Sequence, residues 1–102
     1  MDYQVRLSRS ARADLEDIVR YISIDDSSRA LRFGISLIQH TNSLSRFPER
    51  GRVVPEFENE SIREIIFRAY RIVYRLNHNK RRVEVIRIWH AARGFPKLPQ
   101  MN

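Results

Sequence analysis

The segment Arg87-Ile88-Trp89-His90-Ala91-Ala92-Arg93 gathers side chains that can hold a phosphate, stack on a base and move a proton. Guanidinium groups fix phosphates through paired hydrogen bonds, an imidazole exchanges a proton near neutral pH, and an indole offers a stacking face. Strand pairing can bring Arg71, and with it Arg63, close to that segment. Arg71, His90 and Arg93 would then suffice for metal-free RNA cleavage by 2′-hydroxyl attack, the arginines holding the negative transition state. Arg63, Arg71, Arg75, Arg87, Trp89 and Arg93 equally form a candidate surface for nucleic acid or another target. The same residue types also serve structure. Trp89 suits a core or a partner interface, His90 a structural or plainly exposed position, and Arg71 and Arg75 ordinary solvent-facing strand positions. Tyr70 and Tyr74 are more often cross-strand packing residues than catalytic acids.

Other chemistries have no anchor. Cysteine is absent, which removes disulfides, thiolate metal sites and cysteine nucleophiles together. His40, His78 and His90 lie far apart, with no H-E-x-x-H arrangement, so no metal is expected. Gly34, Gly51 and Gly94 stand alone and build no phosphate-cradling loop, and no cofactor is expected. Nothing announces a Ser/His/Asp nucleophile.

The elements that must position these residues follow from length and pattern. A chain of 102 residues, 42% apolar and 30% charged, fits one domain over residues 1–102 with a modest core. No window approaches the roughly 20 apolar residues that span a bilayer, and MDYQVRLSRSARADL carries no long apolar run, so the expected location is the cytoplasm, with no membrane partner. Charge is unevenly divided. Residues 1–61 hold nine Lys/Arg against ten Asp/Glu, whereas residues 62–102 hold ten Lys/Arg against only Glu64 and Glu84. A basic half of that kind suits a polyanion or an acidic protein partner, or serves as a solvated face for solubility.

Tyr3, Val5 and Leu7 alternate with polar residues and predict a short strand. Ser8 then offers a helix N-cap, and Ala11, Leu15, Ile18 and Ile22 recur at helical spacing, leaving Arg12, Asp14, Asp17 and Arg20 for water. Asp25-Asp26-Ser27-Ser28 interrupts this helix and caps a second, whose buried stripe is Ala30, Phe33, Leu37, Thr41 and Leu44 and which ends by Phe47-Pro48. Residues 48–61 read as a loop in which Val53-Val54 can form a minor strand. Ile62 to Phe67, Tyr70 to Leu76 and Arg82 to Trp89 then predict a three-stranded meander with turns near Arg68-Ala69 and at Asn77–Lys80. Ile72, Tyr74 and Leu76 share one face and Arg71, Val73 and Arg75 the other. In the last run, Val83, Val85, Arg87 and Trp89 oppose Glu84, Ile86, Ile88 and His90, and either set can be the buried one. The fold class expected is α+β: an N-terminal helical hairpin packed on a small curved antiparallel sheet, in the order β-α-α-β-β-β.

In their order and spacing, ARADLEDIVRYI, DSSRALRF, FPERGRVVPE, REIIFRAYRIVYRL and VEVIRIWHAAR resemble the toxins of the RelE/ParE superfamily of type II toxin–antitoxin modules, from Tyr3 to Arg93. The resemblance implies a growth-inhibiting toxin, of the kind associated with plasmid stabilisation, neutralised by a cognate antitoxin that is ParD-like or another acidic protein. The ParE branch poisons DNA gyrase, whereas the RelE branch cleaves mRNA on the ribosome, and the shared fold does not choose between them. Carried over by position, Arg71 in YRIVY matches an arginine of the RNase sites. Arg93 lies near a second basic catalytic position, His90 falls where some RNase members carry a histidine, and Glu56 matches a general base of one RNase branch. The chain lacks the RelE lysine pair before the second strand, where Arg50 and Arg52 are separated by Gly51, and no tyrosine follows Trp89. These departures direct the expectation to a ParE-like toxin that inhibits DNA gyrase without being an enzyme. The alternative is a metal-independent, ribosome-associated mRNA endoribonuclease, and a nonenzymatic nucleic-acid-binding protein is the third class.

Overall fold

The structure, a computed structural model, describes residues 2–94. Strand β1 (Gln4–Leu7) turns Val5 and Leu7 toward the core, and Ser8 ends it. The Ser8 hydroxyl accepts from the Ala11 amide at 3.1 Å and donates to the Ile86 carbonyl at 3.2 Å. One side chain therefore caps helix α1 (Arg9–Asp25) and ties its start to the sheet. Ser8→Ala is expected to lower stability by about 1 kcal/mol in a urea melt, the usual loss for an N-cap. An unchanged midpoint would show that the cap contributes nothing.

A single residue, Asp26, joins α1 to helix α2 (Ser27–Asn42). Its carboxylate accepts from the Arg29 amide at 3.0 Å, and that bond holds its pKa below the ordinary value. The stripe Ala30, Phe33, Leu37 and Thr41 is buried at the predicted spacing, and Leu44 continues it within the 3₁₀ turn Ser43–Ser45. Thr41 spends its hydroxyl on the Leu37 carbonyl at 2.8 Å, as a buried polar group must.

The two helices cover one face of a five-stranded sheet in the order β1-β5-β4-β3-β2, where β2 is Arg52–Val53, β3 Ile62–Phe67, β4 Tyr70–Asn77 and β5 Arg82–His90. Strands β2 to β5 are antiparallel neighbours, the meander expected from the pattern, and the minor strand near Val53 is present. β1 adds a parallel seam, pairing Gln4 with Arg82 and Leu7 with Val85.

The ambiguity of the last strand has a structural cause. Val73 pairs with Arg87 but Tyr74 pairs with Val85, so Ile86 is an extra residue, a β-bulge. Before the bulge Val83 and Val85 point at the helices; after it Ile88 takes over that role. Ile86 itself joins Val54, Ile62 and Val73 in a second, smaller cluster on the opposite face, with Phe57 packed against it. Neither alternating set is buried as a whole, because the period of two is broken between them.

Candidate functional site

The outer face of the sheet, away from the helices, carries a chain of alternating charges. Glu64 on β3 lies on this face between Ile62 and Ile66, and its side chain is fully buried. A buried carboxylate requires partners, and two arginines supply them. Arg71 Nε donates to Glu64 Oε1 at 2.5 Å, and Arg52 Nε to Glu64 Oε2 at 2.6 Å. The remaining donors of Arg71 reach outward, Nη1 and Nη2 each bonding one oxygen of Glu56 at 2.9 Å, with Nη1 also 3.4 Å from the Gly94 carbonyl. The side-chain hydrogen bonds from Arg71 hold Glu56 below the ordinary carboxylate pKa, and the same contact raises that of Arg71.

The loop that delivers Glu56 is fixed from both sides. Tyr74, fully buried, donates to the Pro48 carbonyl at 2.7 Å and accepts from the Gly51 amide at 3.0 Å. Burial raises the pKa of its phenol, so it stays a donor. A Cβ at Gly51 would stand 2.5 Å from the Tyr74 hydroxyl and 2.6 Å from the Glu64 carbonyl, so only glycine fits. Arg63 serves the same loop, its Nη1 donating to the Gly51 carbonyl at 3.0 Å.

Trp89 sits opposite Arg71 across the β4–β5 ladder and is 5% exposed. The guanidinium carbons of Arg87 and Arg93 lie 4.7 and 4.4 Å from its ring centroid. Arg87 is also held by Asp14, Nε to Oδ2 at 2.8 Å and Nη2 to Oδ1 at 2.9 Å, and Asp14 Oδ2 further accepts from the Ile88 amide at 2.9 Å. Asp14 therefore does not face water as its helical position suggests: α1 runs beside the edge of β5 that β1 leaves free, and the carboxylate caps that edge.

His90 lies on the other side of the sheet. Its ladder partner is Tyr70, whose ring packs on Phe33 of α2, and the His90 and Tyr70 rings meet edge to face at 5.1 Å. Nδ1 of His90 accepts from the Ala92 amide at 3.1 Å, capping the 3₁₀ turn Ala91–Arg93. His90, Arg93, Tyr70, Asp14, Asp17 and Tyr21 line an open cleft of about 470 Å³. The structure thus brings together Arg71, Trp89, Arg87 and Arg93, places His90 on the helix side in a cleft it shares with Arg93, engages Arg63 in loop support, and puts Arg75 toward the far end of β4.

Sequence reasoning missed Glu64, Arg52 and Asp14. For Glu64 a signal existed, since a lone carboxylate in phase with Ile62 on an apolar strand implies a buried cation opposite it. Among the described residues no group of three His, Cys, Asp or Glu side chains converges to hold a metal, and no helix is long and apolar enough to cross a membrane.

No curated protein matches the chain. Among solved structures it is similar to a chromosomal ParDE toxin–antitoxin system from P. aeruginosa, with a TM-score of 0.70 and 19% identity over 86% of this chain and 95% of that one. It is also similar to the toxin–antitoxin complex RelBE2 from Mycobacterium tuberculosis, with a TM-score of 0.69 and 24% identity over 88% and 99%. A mutant of the E. coli toxin RelE in the free state gives a TM-score of 0.63 and 18% identity over 92% and 88%. These likenesses show the fold. A family model described as the ParE toxin of the type II toxin–antitoxin system, parDE, matches residues 5–95, and the chain accordingly belongs to the ParE toxin family of the RelE/ParE superfamily.

Proposed function

We propose that this toxin is a single-domain cytoplasmic protein that acts by binding DNA gyrase and stalling its cleavage–religation cycle, without cofactor and without catalysing a reaction itself. The observation that supports this reading is the state of Arg71. An RNase site needs that guanidinium free to meet a phosphate, with a proton-transfer group beside it. Here its donors are taken by Glu64 and Glu56 of its own chain, and His90 projects from the opposite face of the sheet. The surface left for a macromolecular target is the end of the outer face where the exposed Arg93 overlies the buried Trp89.

The cognate antitoxin, ParD-like or another acidic protein, would take a different surface. Leu15, Val19, Ala30, Leu31, Gly34 and Ile35 line an apolar groove of about 350 Å³ between the helices, where Leu31 is 65% and Ile35 50% exposed. An amphipathic antitoxin helix fills such a groove, and its acidic tail suits the basic half of the chain.

The experiment pairs the purified chain with gyrase supercoiling and DNA-breakage assays and with ribosome-bound mRNA. Loss of supercoiling with accumulated DNA breaks and intact mRNA is the expected result. His90→Gln is expected to retain gyrase poisoning in full, because no proton passes through the ring. If the wild-type chain cuts mRNA, His90→Gln slows that cut by about 10²–10⁴, as loss of a general acid–base does, and gyrase is untouched, the endoribonuclease reading replaces this one.

A further inference from the structure

The far end of the outer face holds a second cluster of charge, remote in sequence from the Arg71 network. Ladder pairing sets Arg6, Glu84 and Arg75 side by side across β1, β5 and β4, and the next rung sets Gln4, Arg82 and Asn77. Lys80, in the turn between β4 and β5, overhangs them. Arg6, Arg75, Asn77, Lys80, Arg82 and Glu84 line a recess of about 190 Å³.

Most cations of the basic half are already engaged. Arg71 is paired with Glu56 and Glu64, Arg87 with Asp14, and Arg63 with loop carbonyls. Arg68, Arg81 and Arg93 lie over aromatic rings. Around the recess the balance is different. None of the four cations there forms an ion pair or a side-chain hydrogen bond with another described residue, and Glu84, flanked by two arginines, offsets only one of the four charges. Arg82 Nε is buried and without a hydrogen-bond partner. The donors of Arg6, Arg75, Lys80 and Arg82 that line the recess are left for an acceptor supplied from outside.

We propose that this recess is an anion site that takes the phosphodiester backbone of a nucleic acid, separate from the Arg71–Trp89 end of the sheet. The chemistry favours phosphate over carboxylate. The flanking arginines stand two strand spacings apart, roughly 10 Å, on either side of Glu84, with Arg82 on the next rung and Lys80 above, so the cations are spread along the recess as phosphates are along a strand. The site is sequence-independent, since guanidinium and ammonium groups that meet phosphates read no base edge.

The test is binding of the full-length chain to a labelled 20-base-pair DNA duplex as a function of salt, with single-stranded RNA of equal length and polyglutamate as the other arms. Wild type is expected to bind both nucleic acids and to lose affinity steeply with salt, with a logarithmic slope of about −0.9 on the duplex for each phosphate neutralised. Arg75→Gln/Arg82→Gln is expected to weaken duplex binding at least tenfold and to flatten that slope by about 2. The charge-matched control Arg12→Gln/Arg32→Gln, on exposed helix positions, is expected to leave the slope unchanged. Circular dichroism melts of both variants confirm folding at the assay temperature. Equal losses in the two double variants would show a net-charge effect and overturn the site. Polyglutamate binding as tightly as DNA would make it a docking point for acidic protein instead. Neither outcome bears on gyrase inhibition, which is measured without reference to this recess.

Discussion

Arg71→Met is expected to destabilise the protein by about 3–5 kcal/mol, the range for removing one partner of a buried ion pair. The size follows from Glu64, whose fully buried side chain keeps only Arg52, itself 64% exposed in its side chain, once Arg71 is gone. Arg52→Gln is expected to cost less, about 1–3 kcal/mol, since it takes the charged donor from buried Glu64 Oε2 while Arg71 still neutralises the carboxylate. Glu64→Leu/Arg71→Met should recover part of the loss, because it removes the stranded charge as well as its partner. Urea denaturation of the four proteins checks the ordering. A midpoint for Arg71→Met equal to that of wild type would mean that Glu64 is hydrated. The same network sets an acid response. Contact with Arg71 depresses the folded-state pKa of Glu56 below its ordinary value of 4.5. Its contribution is therefore complete above that value and is lost as pH falls through the lower folded one. Glu56→Gln is expected to remove that portion of acid sensitivity, visible as a shallower fall of stability below pH 4.5.

Trp89→Ala is the second large effect, about 3–5 kcal/mol for emptying a well-packed aromatic site. The ring is buried beneath the guanidinium groups of Arg87 and Arg93 and opposite Arg71, so its removal leaves a void and also frees two cations from their stacking surface. Arg93→Ala is expected to cost under about 1 kcal/mol, since that residue is exposed. Thermal melts of the pair separate a core tryptophan from a contact residue. A stable Trp89→Ala beside a destabilised Arg93→Ala would reverse the assignment of packing.

The helical hairpin and the first two strands of the meander were legible because their periodicities are unbroken. The stripe from Ala30 to Leu44 is buried residue for residue, and the turns fall where Arg68-Ala69 and Asn77–Lys80 interrupt the apolar alternation. The buried face of the last strand was not legible, because a bulge leaves no mark in composition: Ile86 is as apolar as its neighbours, and only the ladder shows that it is surplus. For the candidate site, residue types were readable but sides were not. Arg71 and His90 were grouped by sequence order, whereas alternation along β4 and its pairing with β5 put them on opposite faces. Glu56 and Asp14 reach their arginines from a loop and a helix, through contacts 15 and 73 residues long that no local pattern encodes.

The parallel seam between β1 and β5 sets a timetable for synthesis. β1 is made first, yet it has no partner until the segment from Arg82 to Val85 has emerged. Ser8 likewise waits for Val85 and Ile86, its amide donating to one carbonyl and its hydroxyl to the other. The helices can form early from local contacts, but the sheet against which they bury their apolar stripe closes only when nearly the whole chain is available. Such long-range closure is slow compared with helix formation. The face built by β4, β5 and the turn after them is thus the last part of the fold to be completed, and the helical hairpin precedes it with its apolar stripe uncovered.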